Sequence, residues 1–492
     1  MTYQFKSQPF AHQLEAWNIS KDLECYALLM TMGTGKSKII VDTAAYLWSK
    51  GRINSLVIVA PNGVHRKWLR EDIPLSLPDS VDHVGAVWRS TDPKALQACE
   101  RLLDPGPHLR ILCINVDALS HTKGRVFLDR YLNATDSMLV IDESHDIKNK
   151  SKRTETAIKL ADKARYRRIL SGTSITNGVF DLYHQFLFLS RDIFGQSFVS
   201  YKNEYAELEP ASSPTMQAIA RKGVRFLPQI PQKDANGRPK FKNLDRLRNV
   251  IAPHSYIKAK EDCLDLPDKI YETRYVEMSP EQKRAYNTLA LQSKVELEDS
   301  KVSVLHKMTL LMRLQQITGG FVTKDSGEVH AFYPVAEENP KVAELKRVLD
   351  EHEGQAIIWA RFVDEIRAIT EALGGDARPY YGDVSATDRE TTLELYKQGK
   401  VRYIVGTAAS GGVGLNLLGN DSTNLVIYFS NDFDLKKRLQ SEDRVHRIGQ
   451  TKKVTYVDLV VPDSVDEKVL LVLKSKEDVA NAVLHNGDIV HV

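Results

Sequence analysis

Residues 24–50 read ECYALLMTMGTGKSKIIVDTAAYLWSK. An apolar run leads into a loop that contains Gly33 and Gly35, after which apolar residues recur at helical spacing. A strand, a glycine-bearing loop and a helix in this order turn backbone N–H groups and the positive end of the helix dipole toward a phosphate chain. Lys36 is predicted to reach the β- and γ-phosphates of ATP, and the Ser37 hydroxyl to coordinate Mg²⁺.

The loop departs from the common phosphate-binding pattern at one position. Met30 stands where the pattern G-x-x-x-x-G-K-[ST] begins with glycine, so this stretch alone also fits an ordinary strand-to-helix turn. Met32 and Thr34 fill the remaining loop positions, and the nucleotide is predicted to lie along residues 32–37. The choice between the two interpretations therefore depends on a second site.

That second site is the string SMLVIDESH at residues 137–145, a buried type of strand with two carboxylates at its polar end. Asp142 is predicted to hold the Mg²⁺ that bridges the terminal phosphates, and Glu143 to orient or deprotonate the attacking water. His145 is predicted to act as a relay. An acidic pair at a strand end is often only a helix cap, but here it follows a phosphate loop.

Length and charge restrict the classes of protein that need to be considered. A chain of 492 residues exceeds the size of one hydrophobic core, and a formal charge of +3 is too small to identify a polyanionic partner. The four cysteines are scattered singly, which predicts a reducing compartment and no structural metal. The N-terminus has no apolar signal region, and no stretch is apolar enough to span a membrane. We therefore expect a soluble, intracellular protein.

Short apolar runs alternate with helical periodicity twice, which predicts an α/β fold with two parallel-sheet lobes and a mainly helical insertion between them. The predicted divisions are lobe 1 at 1–190, the insertion and linker at 191–335, lobe 2 at 336–460, and a C-terminal segment at 461–492 that packs on lobe 2. The predicted strands of lobe 1 are 26–30, 55–59, 109–115, 137–142 and 167–170. Those of lobe 2 are 355–360, 402–407, 424–429 and 454–460.

The insertion contains one concentrated basic segment. Residues 221–249 hold nine Lys and Arg against only Asp234 and Asp245. Runs of charge usually just face water, so a solvated surface loop is one interpretation. Contact with a nucleic-acid backbone is the other.

At this point the first half of the chain resembles the Swi/Snf-type, helicase-like ATPases of superfamily two, which include the chromatin remodellers. PFAHQLEAW, MGTGKS, VIVAPNGVHRKWLRE, DESH and LSGTSITNG stand where that family has its motifs, and DESH takes the place of its DEAH box. The resemblance implies adenine recognition by Gln13 and contacts of Pro61 and Trp68 with a tracking strand. It also implies that Ser171, Gly172 and Thr173 couple the state of the nucleotide to lobe movement. Ser174 replaces the family's usual proline.

The second half carries the most specific part of the resemblance. QSEDRVHRIGQ at residues 440–450 reproduces the family's Q-x-x-D-R-x-H-R-I-G-Q, and AIIWARFVDEI and TAASGGVGLNLLGN resemble its other lobe 2 motifs. The resemblance makes Arg444 and Arg447 arginine fingers, because phosphoryl transfer needs positive charge on the equatorial oxygens of the transition state. It further assigns Gly414 and Gln440 to nucleotide binding. Arg361, Thr407 and Asn416 are assigned to contact with nucleic acid.

The resemblance implies two RecA-like lobes that close on one ATP and a motor that moves along duplex DNA and remodels DNA or protein–DNA complexes. A strand-separating DNA or RNA helicase is the nearest alternative, and a non-hydrolysing scaffold or a small-molecule kinase are more distant ones. We expect a monomer that binds double-stranded DNA without sequence specificity, since no base-reading motif is visible, and a protein partner for recruitment. The compact length suggests the cytoplasm of a prokaryote, or a viral protein.

Overall fold

The computed structural model of the chain describes residues 3–210, 229–234, 239–260, 262–263, 266–298, 304–324, 326–410, 417, 423–447 and 449–484. It contains two compact units. Unit 1 comprises Met1–Glu207, Pro239–Asp265 and Lys476–Val492, and unit 2 comprises Leu208–Arg238 and Leu266–Ser475. This division differs from the predicted one, because residues of the expected insertion are shared between the units and residues 476–484 of the expected C-terminal segment belong to unit 1.

Unit 1 is built on a seven-stranded sheet in which every pair of neighbours is parallel. Its strands are β1 (Cys25–Met30), β2 (Ser55–Ala60), β3 (His83–Val87), β4 (Leu109–Asn115), β5 (Ser137–Asp142), β6 (Tyr166–Ser171) and β9 (Ser255–Lys258). They lie in the order β3-β4-β2-β5-β6-β1-β9. A short antiparallel pair, β7 (Leu208–Pro210) and β8 (Gln229–Pro231), belongs to unit 2.

Helices cover both faces of this sheet. Successive strand residues point to opposite faces, so Val57 and Val59 enter one apolar cluster while Leu56 and Ile58 enter another. The α-helices of unit 1 are Ala11–Ser20, Lys36–Ser49, Val64–Lys67, Ile73–Ser76, Pro93–Arg101, Thr122–Ala134, Lys152–Ala161, Asp181–Leu189, Arg191–Phe194, Phe198–Tyr205 and Leu244–Ile251. Short 3-10 turns lie at Val116–Ser120, Ser144–Ile147 and Ala252–His254, and a π turn at Trp68–Asp72.

Unit 2 is built on a six-stranded parallel sheet in the order β10-β17-β16-β13-β15-β14. Its strands are β10 (Lys269–Tyr275), β13 (Ala356–Trp359), β14 (Ala377–Tyr380), β15 (Tyr403–Gly406), β16 (Leu425–Tyr428) and β17 (Val454–Val460). A separate antiparallel hairpin joins β11 (Phe321–Thr323) to β12 (Val329–Ala331). The predicted α/β class with two parallel sheets is therefore confirmed.

The helices of unit 2 bury two further faces and form one helical cluster. Ile358 and Ile357 again belong to opposite faces, and Tyr286, Ile317 and Val469 pack together away from the sheet. The α-helices are Pro280–Glu298, Val304–Gly319, Pro340–Asp350, Val363–Leu373, Ala386–Lys397 and Leu435–Glu442, with 3-10 turns at Ala336–Glu338 and Gly374–Asp376. The last helix, Val465–Leu484, contributes residues to both units.

That last helix differs from the expectation for residues 461–492. Val465 and Val469 pack in the helical cluster of unit 2, as expected for a segment on the second lobe. Val483 is fully buried in a core cluster of unit 1, with Val479 packed beside it. A helix of this length presents apolar residues at both ends, and sequence periodicity does not say which core each end enters.

Four strands of the two parallel sheets were not predicted, and all four are sheet edges: β3 and β9 in unit 1, β10 and β14 in unit 2. The strands of the two short antiparallel pairs, β7 with β8 and β11 with β12, were not predicted either. Two of the edge strands, β9 and β10, lie inside the segment expected to be mainly helical. Edge strands are exposed on at least one side, so they lack the continuous apolar runs of central parallel strands.

None of the helices in the described ranges is long and apolar enough to cross a membrane. Cys25, Cys99, Cys113 and Cys263 are free thiols.

Candidate nucleotide site

The phosphate loop follows β1 in unit 1, as the sequence predicts. Gly33 and Gly35 both have left-handed backbone angles, with φ of 81° and 85°. Glycine adopts these angles without steric cost, and Gly35 is the residue from which the helix Lys36–Ser49 begins. The N-terminus of this long helix therefore opens into the loop, the arrangement that suits a phosphate group.

Lys36 and Thr34 are held by the loop's own backbone. Lys36 Nζ donates to the carbonyl oxygen of Met30 at 2.8 Å and to that of Thr31 at 3.2 Å. Thr34 Oγ1 donates to the Thr31 carbonyl at 2.8 Å. Met32 and Ser37 are half-buried beside them. The ammonium group thus lies at the loop, where a phosphate oxygen could replace a carbonyl as its partner.

Gln13 lies against this loop, and so does His12, which no sequence motif indicated. Gln13 Nε2 donates to the Thr34 carbonyl at 3.1 Å, and His12 Nε2 donates to the same oxygen at 2.8 Å. A Cβ atom at Gly35 would overlap the Gln13 amide, so a larger residue there would displace the Gln13 side chain from the loop. The only sequence signal for His12 is that it precedes Gln13.

Asp142 ends β5 and is bonded through both carboxylate oxygens. Its Oδ1 accepts the backbone N–H of Glu143 at 3.0 Å, and its Oδ2 accepts the indole N–H of Trp68 at 2.7 Å. Burial raises the pKa of the Asp142 carboxyl above its usual value, while the Trp68 hydrogen bond and the charge of Lys36 oppose that rise.

A second carboxyl lies in the field of Asp142. Burial raises the pKa of Asp72 to about 6; the charge of Lys67 opposes this rise, and that of Asp142 adds to it.

Glu143 and His145 form a short buried chain of polar groups with Ser171. Glu143 is buried and has a left-handed backbone, with φ 53° and ψ 55°. His145 Nδ1 lies 3.3 Å from Glu143 Oε2 and 3.4 Å from Ser171 Oγ, and its Nε2 lies 3.6 Å from Asp146 Oδ1. The imidazole therefore connects the predicted catalytic carboxylate to the end of β6.

The segment after β6 packs directly on the phosphate loop. A Cβ atom at Gly172 would lie 2.9 Å from Met32 Cγ and 3.0 Å from Met32 N, so only glycine allows this close approach. Ser171 Oγ accepts the backbone N–H of Thr173 at 3.1 Å. The hydroxyls of Thr173 and Ser174 are buried and have no hydrogen-bond partner among the described residues. Buried unsatisfied hydroxyls are costly, and they call for an explanation such as a functional role.

Unit 2 contains the predicted arginines, and they follow the helix Leu435–Glu442. Arg444 is buried, and its carbonyl accepts the Leu417 N–H at 3.3 Å. Arg447 is half-buried. Burial lowers the pKa of its guanidinium, and the charge of Asp443 opposes this lowering. A guanidinium in a protein stays charged. Gln440 belongs to the helix Leu435–Glu442, and its side chain is buried.

A buried ion network fixes that helix, and no sequence motif pointed to it. Arg438 binds Asp458 through both carboxylate oxygens, at 2.6 and 3.1 Å, and its Nε donates to Glu442 Oε1 at 2.8 Å. Its guanidinium also lies 3.6 Å from the centre of the Tyr428 ring. Lys269 Nζ lies 3.2 Å from Glu442 Oε2. The network therefore contains a second cation that balances the charge of the second carboxylate, that of Glu442.

The residues predicted to contact nucleic acid are placed differently from one another. Pro61 is half-buried and precedes the helix that starts at Val64. Trp68 has no exposed surface and bonds Asp142, so its side chain offers nothing to a strand. The predicted contact of Trp68 with a strand does not fit this burial. The sequence does not show that a π turn begins at Trp68, and such a turn changes which side chains of the helix face inward.

The unit 2 residues of that set are described only in part. Arg361 is half-buried, its Nη1 donates to Gln315 Oε1, and its backbone N–H donates to Ser430 Oγ at 2.8 Å. Thr407 Oγ1 accepts the Ser410 N–H at 3.1 Å, just after β15. Gly414 and Asn416 lie outside the described residues.

The basic segment 221–249 also falls partly outside them, at 221–228 and 235–238. Several cations in the described part have acidic partners: Lys240 pairs with Glu207, Arg246 with Glu204, and Arg248 with Asp245. These pairs favour the interpretation as a solvated surface over that as a phosphate-binding patch.

The residues at the loop suit Mg²⁺ held with the help of a nucleotide. Across the described ranges, no three or more His, Cys, Asp and Glu residues are grouped so that they could hold a metal ion by themselves. Magnesium is commonly held by one or two protein oxygens together with substrate phosphates and waters. Asp142, whose two oxygens are fixed by donors, and Ser37 provide such a set.

Residues 17–319 match the family described as SNF2-related domain, and residues 340–449 match that described as helicase conserved C-terminal domain. The chain is 24% identical over 479 residues to "Chromatin structure-remodeling complex subunit snf21" of Schizosaccharomyces pombe, covering 93% of this chain and 37% of that protein. It is 24% identical over 353 residues to "Uncharacterized ATP-dependent helicase MG018" of Mycoplasma genitalium, covering 70% of this chain and 30% of that protein. The chain thus spans well under half the length of these two relatives.

A solved structure described as "Sulfolobus solfataricus SWI2/SNF2 ATPase core in complex with dsDNA" is also similar. The two chains are 23% identical, with a TM-score of 0.42 and coverage of 99% of this chain and 95% of that chain.

Proposed function

The chain belongs to the SNF2-related domain family, and from this premise we propose that it is an ATP-driven motor that moves along duplex DNA. One observation carries the proposal: Lys36, Asp142, Glu143, His145 and Ser171 lie at the carboxyl ends of neighbouring parallel strands or on the loops that follow them. Open α/β sheets bind their ligands at this edge.

Each of these groups has a part in hydrolysis that its position supports. Lys36 exchanges a carbonyl partner for a phosphate oxygen. Gln13 recognises adenine, and its hydrogen bond and that of His12 to the Thr34 carbonyl fix it beside the loop. Glu143 orients the attacking water and accepts its proton, with His145 keeping the carboxylate in place. Magnesium, when bound, neutralises charge that develops on the terminal phosphates.

Arg444 and Arg447 of unit 2 supply positive charge to the transition state in this proposal. Neither residue belongs to the unit that carries the phosphate loop, so hydrolysis depends on both units. A motor gains from this division, because nucleotide binding and phosphate loss then change how the two units act together. Ser171, Gly172 and Thr173 are the proposed link on unit 1, since Gly172 packs on Met32 of the loop.

Movement along duplex DNA is proposed over strand separation. The relative from Schizosaccharomyces pombe is named for chromatin remodelling, and the relative from Mycoplasma genitalium is named a helicase. Each name applies to that relative alone. We propose contact with the DNA backbone without sequence specificity, through the segment after Pro61 and through Arg361 and Thr407. We further propose that the motor acts as a monomer, with a protein partner for recruitment.

A triplex-displacement assay tests this proposal against its nearest alternative. A labelled third strand on a duplex should be released in the presence of ATP and Mg²⁺, whereas a labelled strand annealed in a fork should stay paired. A fork that opens while the triplex stays intact would instead identify a strand-separating helicase.

A further inference from the structure

Trp68 is fully buried in unit 1, and the only polar atom of its side chain, Nε1, points at Asp142, the predicted magnesium ligand. The indole N–H donates to Asp142 Oδ2 at 2.7 Å, a distance typical of a charge-assisted hydrogen bond. The ring lies in the apolar cluster on one face of the sheet, together with Ile58 and Val140. Packing therefore fixes the ring, and the ring fixes the direction of its donor.

The second oxygen of the same carboxylate is fixed as well. Asp142 Oδ1 accepts the N–H of Glu143, whose left-handed backbone belongs to the turn after β5. A carboxylate oxygen has about two lone-pair directions, so one on each oxygen remains for another partner. With a donor on each oxygen, the carboxylate plane cannot rotate freely about its χ2 bond.

The local structure of Trp68 explains how it comes to face Asp142. The helix that begins at Val64 widens into a π turn at Trp68–Asp72, with the Ile73 N–H donating to the Trp68 carbonyl, before it resumes at Ile73. Such single π turns insert an extra residue and occur often at functional sites. The same helix follows Pro61, so the indole links this segment to the carboxylate.

We propose that Trp68 is a positioning residue of the ATP site, whose indole N–H holds the Asp142 carboxylate in the orientation that accepts Mg²⁺. The inference rests on the proposed function, since it takes Asp142 as the magnesium ligand. Groups that orient metal ligands commonly change metal affinity by about 10- to 100-fold when they are removed. The effect should therefore appear in the coupling between Mg²⁺ and ATP, not in ATP binding as such.

The test compares Trp68→Phe, which keeps an aromatic ring but removes the donor, with Trp359→Phe. Trp359 is 1% exposed, and its N–H has no hydrogen-bond partner among the described residues, so it controls for the loss of a buried indole. ATP affinity is measured by titration of each protein with Mg²⁺ and with a chelator. ATP is the titrant in both conditions. The dissociation constant for ATP in chelator divided by that in Mg²⁺ reports the coupling.

We expect the ratio to fall about tenfold or more in Trp68→Phe while the affinity in chelator stays the same, and to remain at the wild-type value in Trp359→Phe. An unchanged ratio in Trp68→Phe would overturn the inference while leaving the proposed function intact. A wild-type protein whose ATP affinity does not depend on Mg²⁺ would also overturn the inference. A wild-type protein that binds no ATP in either condition would instead overturn the proposed function itself.

A second measurement keeps the inference testable if Trp68→Phe fails to fold. The chain has five tryptophans, and 5-fluorotryptophan labelling gives each a ¹⁹F resonance. The Trp68 signal is assigned by elimination from the four other Trp→Phe variants. Addition of Mg²⁺ to the ATP-bound protein should shift this signal more than that of Trp359; a Trp68 signal that does not move would contradict the inference.

Discussion

Glu143 is held in a backbone conformation that non-glycine residues rarely adopt, with φ 53° and ψ 55°. Such strain costs of order 1 kcal/mol and persists where the surrounding structure imposes it, often at active sites. Here the Glu143 N–H bonds Asp142 and the carboxylate lies beside His145. The turn thus directs two adjacent side chains to different partners.

The substitution Glu143→Gln tests the task assigned to Glu143. The amide keeps the size of the side chain but cannot accept a proton from water, so turnover should fall by about 100-fold or more. ATP affinity should stay close to wild type, because Lys36 and the loop remain. Steady-state hydrolysis and nucleotide titration measure the two quantities, with exposed Glu155→Gln as the control. Retained turnover would assign the base to another residue.

At the residue scale, sequence motifs predicted where the candidate groups stand relative to the strands. Lys36 follows the loop after β1 and Asp142 ends β5 as expected, and the structure places both at the carboxyl-terminal end of the sheet. His12 and Trp68 could not be assigned in the same way. Their roles depend on which backbone or carboxylate atom lies opposite them in space, and spacing along the chain contains no such information.

At the element scale, the helix Leu435–Glu442 depends on a cation that is almost completely buried. Arg438 is 9% exposed, and Asp458 and Glu442 beside it are also buried. A buried ion pair contributes little net stability compared with apolar residues, yet removal of one partner leaves an uncompensated charge. The network therefore holds in place the helix that leads to Arg444.

Asp458→Asn should lower the free energy of unfolding of unit 2 by about 3 kcal/mol, because Arg438 loses its bidentate partner inside the protein. Arg438→Met in the same chain should recover part of that loss. Thermal and denaturant unfolding measure both effects. Asp268→Asn, which breaks the exposed pair with Lys453, should leave unfolding unchanged. Equal stability of Asp458→Asn and wild type would show that the network does not hold the helix.

Element prediction succeeded in the sheet centres and failed at the sheet edges. Strands such as β5 are buried on both faces and read as continuous apolar runs. β10 reads KIYETRY with mostly exposed side chains, and β14 contains Pro379, so neither has that signal. Both are recognised only through their pairing with β17 and β15, which is a long-range property.

At the scale of the whole molecule, the groups proposed for ATP hydrolysis are divided between two units. Lys36, Asp142 and Glu143 belong to unit 1, while Arg444 and Arg447 belong to unit 2. The number of sheets could be predicted from the alternating patterns, but the unit boundaries could not. The chain passes between the units more than once, and the helix Val465–Leu484 contributes to both cores.

A motor of the proposed kind hydrolyses ATP faster when nucleic acid is bound. The rate of hydrolysis is therefore measured with duplex DNA, single-stranded DNA and RNA at several salt concentrations. We predict a low basal rate that rises many-fold with duplex DNA and falls as salt increases, because backbone contacts release counterions. A rate that none of the three nucleic acids changes would contradict the account.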